Sequence, residues 1–99
     1  MRDEMAVLSH ERVTADDTVQ TAADLSFPVG CSHIEIQNGA GTFVATFDGV
    51  TNPAESLGFA FAANAEKTIP IEDAKNIRFR RTGAALAPFE VIYHGGRGI

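Results

Sequence analysis

The sequence predicts an all-β fold, a single-domain antiparallel β-sandwich (jelly-roll or immunoglobulin-like) of about seven or eight short strands. Three observations carry this. Apolar and polar residues alternate in short runs, turn residues recur at close spacing between the runs, and no segment keeps a helical period over three turns. At 99 residues the chain is the size of one domain, and 44% hydrophobic with 21% charged residues is a globular composition.

The first thirty residues are the least legible. "MAVLSHERVT" fits a strand or a short helix, and "DDTVQTAADLSF" fits an irregular second strand. From Ser32 the pattern is clear. "SHIEIQ" puts Ile34 and Ile36 on one face and His33, Glu35 and Gln37 on the other. "NGAG", residues 38–41, is turn chemistry, and "TFVATFDG" follows with Phe43, Ala45 and Phe47 inward, which predicts a β-hairpin. "VTNPAES" is a loop, since Pro53 interrupts a ladder. "LGFAFAA" sets Phe59 and Phe61 on one face; "EKTIPIED" sets Ile69 and Ile71 inward on a strand that Pro70 confines to an edge. "NIRFRR" turns Ile77 and Phe79 inward, and "PFEVIYHG" turns Phe89, Val91 and Tyr93 inward with Ile92 opposite. The expected organisation is an N-terminal arm (1–12), a sandwich (13–94) and a flexible tail (95–99).

Thirteen acids against eight bases give a net charge of -5, the wrong sign for a nucleic-acid surface. The charge is uneven: residues 1–48 hold eight acids and two bases, residues 49–99 five acids and six bases, a division that can orient neighbouring copies in an assembly. Cys31 is alone, so no internal disulfide forms. The N-terminal stretch has no apolar run of membrane-spanning or signal-peptide length, so synthesis in a cytoplasm and no membrane partner are expected.

Cys31, His33 and Glu35 fall two apart, and all three side-chain types ligate zinc. Same-face neighbours on one strand stand about 7 Å apart and do not converge, so a polar row is the expected reading. A Cys31–His33 nucleophilic pair lacks an orienting third group. The acids of "ADDTVQTAAD" and "FDGVTN" lack the ligand spacing of a calcium loop. No P-loop, nucleophile elbow or zinc-protease motif occurs, and neither enzyme activity nor a metal or cofactor is expected. Lone Tyr93 and the lack of Trp weaken a sugar-stacking reading of loops 38–41 and 50–56. In "NIRFRRTG" alternation sends Arg78 and Arg80 outward together with Arg81 at the strand end, a row suited to carboxylates within the chain or on a neighbouring subunit.

The run from "TFVATFDGVTNPAES" through "GFAFAANAEKTIPI" to "IRFRRTGAALAPFEVIYHGG" resembles small structural proteins of tailed bacteriophages. The likeness covers roughly residues 32–96: a strand ending in Asp-Gly, a Thr/Asn-Pro loop, a Gly-apolar strand, an Arg-containing strand, a Gly-Ala turn and a final "V-x-Y" strand. It implies a non-enzymatic β-sandwich virion component that decorates or stabilises a capsid, or a minor head or tail subunit. The implied partners are the major capsid protein or other virion subunits, in a homo-oligomer or symmetric assembly. Candidate contact residues are Arg2, Met5 and Val7 in the arm, Asn52 and Pro53 in the loop, Arg78, Arg80 and Arg81 on the basic strand, and Arg97 in the tail. The alternatives are a small carbohydrate- or surface-binding module of a tail or adhesion apparatus, and a regulator of a host protein.

Overall fold

The structure is a computed structural model and describes residues 6–54 and 57–95. Its strands are β1 (Ala6–Ala15), β2 (Gln20–Thr21), β3 (Cys31–Asn38), β4 (Phe43–Thr46), β5 (Phe59–Phe61), β6 (Glu66–Pro70), β7 (Arg78–Arg81) and β8 (Ala87–Gly95). Two short helical turns interrupt them, a 3-10 turn at Ala22–Asp24 and α1 (Ile71–Ala74). One sheet has the order β1-β8-β3-β6 and the other β2-β7-β4-β5, with every pairing antiparallel. Only the β4–β5 connection stays within a sheet; every other connection crosses to the opposite one. That strand order makes the sandwich a jelly roll rather than an immunoglobulin-like domain.

The core follows from the alternation in each strand. Ile34 and Ile36 of β3, Ile69 of β6, and Phe89, Val91 and Tyr93 of β8 line the inner face of the first sheet. Phe43, Ala45, Phe61 and Phe79 line that of the second. Phe43 joins the layers: its ring stacks on Phe89 across the gap at 4.4 Å and on Phe61 beside it at 4.5 Å. Phe79 meets Phe89 edge-on at 5.4 Å, so four phenyl rings fill the centre in favourable offset and T-shaped geometries. At one end a polar node closes the layer. Glu11, inward-facing on β1, accepts hydrogen bonds from the Tyr93 hydroxyl and, at 2.8 Å, from the Ser26 N–H. Burial, and then the adjacent carboxylate, push the Tyr93 phenol far above its ordinary value, keeping it a donor.

Several expectations change. Residues 38–41 do form a turn, but β3 and β4 pair in different sheets, so there is no hairpin. Instead the buried Asn38 amide donates to the carbonyls of Gly41 and Ala62, both at 2.8 Å, and accepts from the Gly39 N–H, holding the chain as it crosses the sandwich. Gly41 lies so close to β8 that an added Cβ would stand 2.8 Å from Ala87 Cα. The boundary expected at residue 12 falls inside β1, which pairs with β8 from Ala6 to Ala15; residues 6–12 belong to the sheet because β8 satisfies their inward backbone groups. Gly95 likewise ends β8 instead of opening a tail. The irregular second strand is only Gln20–Thr21 followed by the 3-10 turn. Ile71 begins α1, not a further strand residue, and β6 stops at Pro70 on the sheet's edge.

Phe43→Ala removes the ring that touches both layers and should destabilise the fold by about 3–5 kcal/mol, read as a lowered urea midpoint with an unchanged slope.

Candidate functional site

The long β4–β5 connection folds over the outer face of the second sheet. Its first turn is set by Asp48, whose carboxylate accepts N–H bonds from Val50 at 2.9 Å and Thr51 at 2.8 Å and a hydroxyl bond from Thr51. These bonds, the Thr51 hydroxyl foremost, lower its pKa to about 2. Gly49 takes φ +77°, a left-handed conformation that suits glycine at this turn. Thr46 of β4 donates its hydroxyl to the Thr51 carbonyl. Arg78 of β7 then clamps the loop from beneath, donating to Asn52 Oδ1 at 2.6 Å and to the Gly49 carbonyl at 2.8 Å. Pro53 is fully buried under the same fold.

Asn52, Pro53 and Arg78, expected as partner contacts, are therefore engaged within the chain. Arg81 donates to the Ala84 carbonyl at 2.8 Å and holds the β7–β8 turn. Arg78 and Arg81 thus donate to amide and carbonyl oxygens of the chain's own loops. Arg80 is exposed and lines a shallow cleft of about 230 Å3 with Asp17, Ala54, Arg81, Thr82 and Gly83. Val7 is 58% exposed near the start of β1. Arg2, Met5 and Arg97 lie outside the described residues.

The outer face of the first sheet collects all three histidines. A bulge between Cys31 and His33 opposite Gly95 and His94 breaks the period-two row, so Cys31 packs against the core while His33 and Glu35 stay outside. Burial, the largest influence, raises the Cys31 thiol above its ordinary value. The rings of His33 and His94 stack in parallel at 4.7 Å. His94 Nε2 lies 3.3 Å from Glu35 Oε1, and the Gln37 amide donates to the other oxygen at 3.0 Å. Those contacts, Gln37 first, lower the Glu35 pKa. His10 and Arg12 of β1 both reach Glu90 of β8, at 3.5 and 3.2 Å. Desolvation, with the neighbouring His94 charge second, lowers the pKa of His33. Parallel stacked imidazoles do not converge on one point, and among the described residues no group of three or more His, Cys, Asp or Glu is placed to hold a metal.

Sequence reasoning missed the pairing of these strands, which brings residues sixty positions apart together; alternation gave the face of His33, Glu35 and His94, but not their neighbours. It also missed an apolar edge. Phe59, placed inward with Phe61, is 43% exposed at the rim of β5, where Lys67 Nζ sits 4.4 Å over its ring. With Leu57 it borders a hollow of about 430 Å3 lined also by Ala45, Phe47 and Gly58. No protein family, curated protein or solved structure matches this chain.

Arg78→Met should cost about 1–2 kcal/mol, the worth of charged hydrogen bonds to a partly buried clamp; faster proteolysis within 47–58 than in wild type is the accompanying readout. His33 has a depressed pKa in the fold, so its contribution is complete above the unfolded value of 6.5 and is lost as pH falls below it. Glu35, also depressed, loses its contribution only below 4.5. Thermal stability should fall in two stages on acidification, and His33→Gln should flatten the first stage alone.

Proposed function

We propose that this jelly roll is a non-enzymatic structural subunit of a phage virion, held to a capsid lattice or to other virion subunits by surface contacts that decorate or stabilise it. One observation carries the reading: the division of labour between polar and apolar groups. Asp48, Asn52, Arg78 and Arg81 are engaged in fixing the chain's own loops. Large apolar side chains stand exposed instead, Val7 and Leu8 on β1 and Leu57 and Phe59 beside β5 at the strand edges, and Val29, Val50 and Leu86 in loops. Apolar groups at a polar rim suit subunit contacts. The resemblance noted in the sequence points the same way. Jelly rolls build viral capsid domains but also lectins and cupins, so the architecture supports the reading only by analogy.

A second reading, a carbohydrate-binding module, is favoured by one feature. Arg12, Gln37 and Glu90 surround a hollow of about 400 Å3 beside the turn at residues 38–40, and planar polar groups of this kind suit sugar hydroxyls.

Quantitative mass spectrometry of purified, salt-washed particles tests the proposal. A fixed copy number per particle is expected; absence from the particles contradicts it. Glycan binding lost on Gln37→Ala would transfer the assignment to the second reading.

A further inference from the structure

We propose that β1 is a self-pairing edge: two copies of the chain join antiparallel through it, Val13 facing Val13 of the second copy, so that their first sheets become one continuous sheet. The inference goes beyond the virion reading and rests on backbone geometry, so a failure here leaves particle occupancy to be judged separately.

The direction of every backbone group in the first sheet follows from one bond. Asn38 donates its N–H to the Ala65 carbonyl, so the even-numbered residues of β3 bond toward β6 and the odd-numbered ones toward β8. His33, Glu35 and Gln37 thereby engage His94, Ile92 and Glu90, leaving Tyr93, Val91 and Phe89 to bond Ser9, Glu11 and Val13 of β1. The N–H and C=O groups of His10, Arg12 and Thr14 therefore point away from the sheet. Among the described residues no backbone–backbone bond from a segment outside the sheet reaches β1 between Ser9 and Ala15; on that strand the Ser26 N–H meets only the inward Glu11 side chain.

The other edges are blunted in ways known to suppress pairing. β2 spans two residues and β5 three. On β6 the outward position opposite His33 is Pro70, which has no N–H to offer. At ten residues without proline, β1 is the long edge left open.

The strand's own charges select the occupant and register. A two-fold axis normal to the sheet keeps inner faces together, so residues of like parity must oppose each other. Centred on Glu11 it opposes two glutamates, and centred on Arg12 two arginines, both destabilising. Centred on Val13 it sets Arg12 against Thr14 and Glu11 against Ala15, with no like charges opposed. Arg12 and Thr14, which carry the outward groups, then exchange backbone bonds across the seam. The valines and the buried Ala15 continue the apolar layer beneath it. The bulge between Val7 and Ser9 ends the regular edge on the N-terminal side.

Sedimentation equilibrium of the full chain tests this. The mass should rise toward twice that of the chain as concentration approaches millimolar. Thr14→Pro, which removes an outward N–H and spares the β8 ladder, should weaken association by about tenfold or more, while Thr14→Val should leave it intact; far-UV circular dichroism checks that each is folded. Opposed residues at a non-hydrogen-bonded site are close enough for a disulfide, so Val13→Cys with Cys31→Ser should form an intermolecular crosslink under mild oxidation, and it decides the matter should the proline variant not fold. A monomer at every concentration, a dimer indifferent to Thr14→Pro, or a dimer that does not crosslink overturns the proposal.

Discussion

The contact between Phe43 and Phe89 is the constraint on which the sandwich depends. One ring belongs to β4 and the other to β8, and their 4.4 Å stack fixes the spacing of the two sheets at their middle. Phe61 and Phe79 close around it, and the aliphatic side chains of β3 and β6 fill the rest of the layer. Because nearly every connection crosses between sheets, neither sheet can form its interior alone, and this apolar centre holds the crossings together.

Polar groups secure what the rings cannot. Asn38 turns the chain from one sheet to the other, and Glu11 with Tyr93 closes the interior at one end. Asp48 and Arg78 fold the long β4–β5 loop back on the second sheet, covering a strand whose residues are buried on both faces. These tasks occupy side chains that looked free for partners. The outer face of the first sheet carries a separate set of polar groups, His10 and Arg12 with Glu90, and His33 and Glu35 with His94.

Much of the sandwich was legible because period-two alternation fixes which face each residue takes. Ile34, Ile36, Phe79, Phe89, Val91 and Tyr93 are all inside as the pattern requires, and Pro70 does mark an edge. Pairing was not legible. The turn at residues 38–41 carries the same chemistry whether it reverses a strand within a sheet or crosses between sheets, and only the buried Asn38 amide distinguishes the two. The candidate site suffered more. Bulges add one residue and reverse a side chain's face, which is why Cys31 left the row of His33 and Glu35. An outward arginine also looks the same in sequence whether it meets a partner or, like Arg78, a carbonyl of its own loop.

Residue-resolved amide hydrogen exchange in dilute solution tests the strand arrangement, and with it the open edge, most directly. Along β1 the amides of Glu11, Val13 and Ala15 should exchange slowly and those of His10, Arg12 and Thr14 rapidly, while β8 is protected continuously because strands flank it on both sides. Uniform protection along β1, or an unprotected β8, would contradict the jelly-roll arrangement described for this chain.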